Sequence, residues 1–557
     1  MPISKNNTGL WIGAAIGLIV FLIMNVAPMV AGGDPAAATH VVGRDEAEDA
    51  AAAYVRARTG DDGADLRPFA MYAADRDVFG YFYGAGTIED VQERFASVLP
   101  LDAYRVQVED AASGAMHWVD VNPYTGKPVE WDLATAGEPV AADRLEAIGR
   151  EAIAELGWPG DEPALLSTDE ATGEAFFALE HPSFDGASAT VRLRADDLGA
   201  TALAVNWNVP DAYAARIADQ DAKSSALGLI GLLLSGALQF AAFVYALVQA
   251  NFVRWQRGVL MALVFGVFYC GMNVNMYPGL KATVLDVLNG GDYAAGGLEG
   301  GGAIAGMIGA LVLTNALTLA MAIGLYFSAV AGDRLAGLQG YRVWPLPSDA
   351  GYGSHVSGAV KLGYLYAPIL LGIQSILFLF AEQGFDTWYT IDALSSPNNM
   401  AYPLFAPLLA WCAAVSEEAV FRLFAIPALA WLFAWPLALL RVPRRTRTFL
   451  SLGAAVAVSS MIWALGHVQY PIYPYYTRFA EVTALGLLFA FIFFRHGFLA
   501  AVFAHAVVDL IWFGISIVSS VPTAGGFAAF ALYLATPALV ALVVRMRSRR
   551  TGPTPAG

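Results

Sequence analysis

Apolar runs long enough to cross a bilayer recur along most of this 557-residue chain, and they constrain its fold before any motif is read. The first extends from Leu10 to about Val30. Others follow at 225–252, 258–280, 302–331, 361–382, 400–439, 448–467, 479–494, 498–520 and 527–544. A hydrocarbon core takes about 20 apolar residues of helix to cross, so ten spans are expected. Only 14% of the residues are charged, against roughly a quarter in a soluble chain. The predicted fold class is a polytopic α-helical membrane protein of about ten spans, with an α+β soluble extracytoplasmic domain.

That domain shows in the charge. Residues 33–222 hold 36 of the 48 acidic and 13 of the 32 basic side chains, a net −23, while the remainder holds 12 and 19, a net +7. No apolar run in 33–222 could span, so it reads as one acidic soluble insert. It has no basic patch, which argues against a nucleic-acid partner. Arginines occupy alternate connections: Arg254 and Arg257, Arg334 and Arg342, Arg441 to Arg447, Arg495, and Arg545 to Arg550. Basic loops stay cytoplasmic, so both termini are expected inside a plasma or inner membrane and the insert outside. The resulting division is an N-terminal anchor (1–32), the insert (33–222), accessory helices (223–399), a core (400–545) and a tail (546–557). Cleavage near Ala31, as after a signal peptide, is the alternative for the first run. Cys270 and Cys412 lie in apolar runs and read as small core side chains.

Within the insert, a helical stretch (Glu46 to Arg58) precedes alternating runs at Tyr104-Arg-Val-Gln-Val and His117-Trp-Val-Asp-Val. A second (Ala142 to Gly157) precedes Ala175-Phe-Phe-Ala-Leu-Glu, Ala189-Thr-Val-Arg-Leu-Arg and Ala202-Leu-Ala-Val-Asn-Trp. The duplication predicts two small α+β units. The stretch from Tyr104 through His117-Trp-Val-Asp-Val-Asn-Pro-Tyr-Thr-Gly-Lys resembles the PepSY-type modules found beside membrane peptidases.

Ionisable groups inside spans are expensive and mark function. Glu417-Glu418-Ala-Val-Phe-Arg422 places Glu418 and Arg422 at i and i+4 on one helix face. Their pairing leaves Glu417, about 100° away, as the free carboxylate suited to a general base. Trp463-Ala-Leu-Gly-His467 and His505-Ala-Val-Val-Asp509 repeat the i, i+4 spacing. Polar groups from three spans can converge in one bundle. His496, beside Arg495, reads as a helix-end residue.

These three segments, in this order, resemble the motifs of the CPBP intramembrane proteases, the family of type II CAAX prenyl endopeptidases and bacteriocin-processing or abortive-infection proteins. The resemblance covers about 400–520. Trp463 stands where the family usually has Phe, and Asp509 where it usually has Asn. It implies a glutamate-dependent, metal-independent endopeptidase with no cofactor, acting on a membrane-embedded or membrane-associated protein or peptide. Glu417 with His467 would activate water, His505 and Asp509 would serve the oxyanion, and Glu418, Arg422 and Trp463 would support the site. An ionised Asp509 would repel an oxyanion, so its expected part is to orient His505 as the donor. A zinc peptidase, a non-catalytic sensor or scaffold whose acidic domain binds a partner, and a carrier remain as alternatives. Depths conflict: His467 lies about 27 Å along its helix and His505 about 12 Å along its own, which a break in 400–439 near Pro427 would reconcile.

Overall fold

The computed structural model describes residues 8–550 except 32–41, 61–62, 136, 139, 161, 290–300, 341–344, 346–348, 350, 391 and 393. The alanine-rich stretch after the first run, Asp292 and Glu299, Arg342 and the end of the basic tail lie outside the described residues. Among the described residues nine helices are long and apolar enough to span, and a pair bent by 56° brings the number to ten when it is counted as one broken span. The chain is thus a polytopic helical membrane protein with a separate sheet-rich region.

The first span runs through α1 (Thr8–Phe21), a π-helical turn (Leu22–Val26) and α2 (Ala27–Ala31). One face of it packs closely: a side chain at Gly17 would meet the Pro368 carbonyl at 2.3 Å, and Asn25 Nδ2 donates to Ser375 Oγ at 2.7 Å. Only glycine allows so close an approach of two backbones.

The insert contains α3 (Arg44–Thr59), β1 (Leu66–Ala74), α4 (Arg76–Ala85), α5 (Ile88–Phe95), β2 (Asp102–Asp110), β3 (Met116–Val121) and β4 (Pro128–Asp132). It continues with α6 (Ala142–Leu156), β5 (Ala164–Asp169), β6 (Glu174–Leu179), β7 (Ser188–Asp196) and β8 (Gly199–Asn208). Each half has a leading helix and four strands, with α4 and α5 set between β1 and β2 in the first; the sequence pattern predicted the leading helices and five of the eight strands. The halves do not stand apart, however: they form one antiparallel sheet ordered β1-β2-β3-β4-β8-β7-β6-β5, joined where Trp131 faces Leu203. Alternation puts Val106, Val119, Trp131, Leu193 and Leu203 on one face, buried against Val55 and Leu145 of the helices. The outer face at Met71 and Trp118 packs on Leu285.

The membrane part continues with α7 (Asp211–Val248), which crosses the expected boundary at 222 without a break. Next come α8 (Val259–Asn275) and α9 (Tyr277–Asn289), which hold the bent pair, then α10 (Gly301–Leu338) and α11 (Tyr352–Phe385). After β9 (Trp388–Tyr389) the core is α12 (Leu408–Glu417), a π-helical segment Glu418–Ala425, α13 (Ile426–Leu439), α14 (Arg444–Leu465), β10 (Ile472–Tyr473), α15 (Tyr475–His496) and α16 (Phe498–Ser520); α17 (Ala524–Arg550) follows. The long 400–439 run is not interrupted at Pro427. That proline lies in a helix that continues from α12 through the π segment into α13, and the irregularity is the π segment just before it.

The insert grips the core at two places. Asn399 is fully buried and exchanges two 2.7 Å hydrogen bonds with the backbone of Tyr72, accepting its N–H and donating to its carbonyl. This satisfies part of the β1 edge, which would otherwise present open backbone groups. Beside it, Trp388 stacks on Tyr473 at 4.7 Å, and both rings belong to the insert's hydrophobic core. A side chain at Gly80 would lie 2.2 Å from the Trp388 ring, so α4 can sit there only with glycine. Tyr473 donates to Asp221 at 2.6 Å, and Asp221 pairs with Arg76 at 2.7 Å.

Candidate active site

Four elements converge. Glu417 ends α12, and Glu418 opens the π-helical segment whose eight residues are all buried. A π segment adds a residue to the turn and rotates the helix beyond it, a distortion frequent at functional sites. Trp463 lies at the end of α14, His467 just past it, and His505 and Asp509 on α16.

Glu417 Oε2 is the hub. It accepts the indole N–H of Trp463, lies 3.9 Å from His467 Nε2 and 3.8 Å from His505 Nε2. So the carboxylate that local helix spacing left unpaired has a neutral donor from α14, a partner 46 positions away that no helical periodicity can show. His467 Nδ1 lies 2.9 Å from the carbonyl of Trp463. A carbonyl only accepts, so Nδ1 donates to it, and Nε2 is the ring nitrogen turned toward Glu417. His505 Nδ1 donates to Glu418 Oε1 at 3.0 Å, while its Nε2 lies 3.4 Å from Asp509 Oδ2.

Glu418 and Arg422 pair as their spacing predicts, at 3.1 Å and with 0% and 1% exposure. The guanidinium also lies 4.1 Å over the Trp463 ring and 5.3 Å from that of Phe489. Phe489 stacks on His505 at 4.8 Å. One buried layer therefore ties Glu418, Arg422, Trp463, Phe489 and His505 together. The expectation gave Asp509 the orienting of His505; here Glu418 holds one ring nitrogen and Asp509 faces the other. His496 stands apart at the end of α15, 2.9 Å from the hydroxyl of Tyr366.

The last turn of α14 closes at Leu465, and the His467 side chain turns back to the Trp463 carbonyl with its Nε2 toward Glu417.

Phe489, Tyr470 and the Arg478–Glu481 pair were missed. Tyr470 stacks on His467, and Arg478 lies 5.4 Å from the Tyr470 ring while bonding Glu481 at 2.8 Å. Gln374 of α11 donates to Glu481 at 2.7 Å and accepts from Trp512 at 3.2 Å. Two charges at i and i+3 in the first turn of an apolar run are a readable signal. A phenylalanine among many carries none.

A bundle of spans with carboxylates, histidines and a tryptophan converging in its interior defines a multi-pass membrane protein with a buried polar site. The core carries a more particular signature: residues 399–511 match the family model for type II CAAX prenyl endopeptidase Rce1-like proteins, so this segment is similar to the CAAX-type proteases of the CPBP family. No curated protein and no solved structure matches the chain.

Proposed function

We propose that the protein is an intramembrane endopeptidase in which Glu417 and His467 activate water against a peptide carbonyl. The observation that carries this reading is His467 Nε2 facing Glu417 Oε2 across 3.9 Å. With the imidazole neutral, the two are acceptors at a separation that lets both take hydrogen bonds from one water, and the carboxylate removes its proton as the oxygen attacks. The proton then passes to the leaving amine. His505, with a carboxylate at each nitrogen, is arranged as an imidazolium, the form that can donate toward a developing oxyanion. Glu418 holds that ring in place, and Trp463 fixes the oxygen of Glu417 that faces both histidines. Family membership of the matched segment supports peptide hydrolysis rather than transport or scaffolding.

A zinc hydrolase is the second reading, because both histidines have Nδ1 bound and Nε2 aimed at one carboxylate, a pattern also seen around zinc. Purified protein in detergent, given a library of unstructured peptides read by mass spectrometry, tests the choice. Cleavage that disappears in Glu417→Gln and survives exhaustive chelation supports the glutamate mechanism. Cleavage restored only by added metal supports zinc.

A further inference from the structure

The four site-bearing elements have opposite senses relative to the insert. α12 starts near Asn399, at the insert, and runs away from it through Glu417 into the π segment; α16 starts at Phe498, at the far end, and runs back. Both elements are sealed on the far side of the site. Every residue of Glu418–Ala425 is buried, and so is every residue from Ala500 to Val508. Phe493 and Phe498 close the same end at 0% exposure.

On the insert's side the lining opens. Asp509 is 24% exposed, one turn above His505 at 6%, and Ile511, Trp512 and Phe513 beyond it are partly exposed. Glu417 keeps 23%, whereas Glu418 beside it has none. Tyr470, stacked on His467, is exposed. The loop from His467 to Tyr475 climbs from the site to the insert, which holds it at Tyr473 through Asp221 and at Tyr475 N through Gln220. His505 lies about 11 Å from the far end of α16 and about 22 Å from the near end, at 1.5 Å per residue. The open path is thus the longer one, with Tyr470, Asp509 and Glu417 as its polar groups beside Ile511, Trp512 and Phe513.

We propose that the site is loaded from the insert's side of the bilayer: its substrate is a peptide segment presented on that side, passing beneath the insert along Tyr470 and Asp509 to Glu417, and not one presented at the arginine-rich face. This rests on the hydrolytic reading of Glu417. By the arginine alternation that side is extracytoplasmic, so the substrate class is the extracytoplasmic stretch of a membrane or exported protein. The insert's net charge of −23 overhangs the path. Its field concentrates basic segments there and repels acidic ones.

Two measurements separate the sidedness from the chemistry. Single-cysteine reporters at Asp509→Cys and Tyr470→Cys, in a chain with Cys270 and Cys412 replaced by alanine, are exposed to a membrane-impermeant maleimide in sealed vesicles sorted by trypsin access to the insert. Labelling at least 10-fold faster from the insert's side is expected, with Ala501→Cys labelled from neither. Faster labelling from the opposite face, or labelling of both reporters only after detergent, overturns the proposal. In parallel, the unmodified protein in the same vesicles receives an impermeant basic peptide on one side or the other. Hydrolysis only from the insert's side is expected, and hydrolysis only from the other side overturns the proposal while leaving the chemistry standing. Insert-side labelling with no hydrolysis even in detergent sinks the hydrolytic reading alone.

Discussion

The indole N–H of Trp463 donates to Oε2 of Glu417, the oxygen that also faces His467 and His505. A phenylalanine at this position would keep the aromatic face under Arg422 but could not make the bond. The ring therefore has two separable parts: its face carries the guanidinium and its edge orients the carboxylate.

Trp463→Phe separates them. A hydrogen bond to a charged group contributes about 1.5–3 kcal/mol, so hydrolysis should fall roughly 10- to 100-fold. Thermal stability should change little, because the cation–π contact remains. Trp463→Ala should lose both. Peptide turnover and melting temperature, measured together on the two variants, check this; equal melting losses in both would mean that the edge contributes only packing.

Glu417→Gln and Glu418→Gln should fail differently. The first removes the base and should abolish turnover in a folded protein. The second leaves Arg422 buried without its counter-charge, a loss of about 3–5 kcal/mol, and also loosens His505. Its melting temperature should drop by several degrees along with turnover. A stable Glu418→Gln protein without activity, beside an active Glu417→Gln, would reverse the two roles.

Asn399→Ala should weaken the hold on β1. Two hydrogen bonds are lost and two backbone groups of Tyr72 are left unsatisfied in a buried place, at about 1–3 kcal/mol each. Hydrogen exchange along β1 should rise, while exchange in β7, at the centre of the other half of the sheet, stays as it was.

Glu130 gives the insert a pH dependence. Burial and the neighbouring Asp120 push its carboxyl up to about 8, against the pull of Arg105 and the N–H of Val205. An acid whose folded value lies above its unfolded one binds more protons when folded, so this contribution is present at low pH and is lost as pH rises through about 8. Glu130→Gln, which cannot ionise in either state, should leave melting unchanged near pH 4, raise it at pH 6, where the unfolded carboxyl is already ionised, and raise it most near pH 9. A larger gain at pH 6 than at pH 9 would contradict the assignment.

The spans, the acidic insert and its helix-then-strands duplication were legible because each follows from local chemistry: apolar length, charge density and alternation. The three polar motifs were legible for the same reason, since ionisable groups within spans announce themselves. Short elements such as α4, α5 and β4 were not, because five to ten residues carry little periodicity. The joining of two expected units into one sheet depended on Trp131 meeting Leu203, 72 positions apart.

What the sequence by itself determined is the inventory: a multi-pass bundle, one soluble insert, and the residue types able to hydrolyse a peptide. Helix spacing also decided the Glu418–Arg422 pair, because i and i+4 are neighbours on any helical turn. Only the tertiary structure decided which nitrogen of each histidine is bound, that Trp463 and not solvent meets Glu417, and that Asn399 and Tyr473 fasten the insert above the site. Each of these is a contact between segments far apart in the chain, and a directional bond between such segments exists only once the packing has fixed distance and angle together.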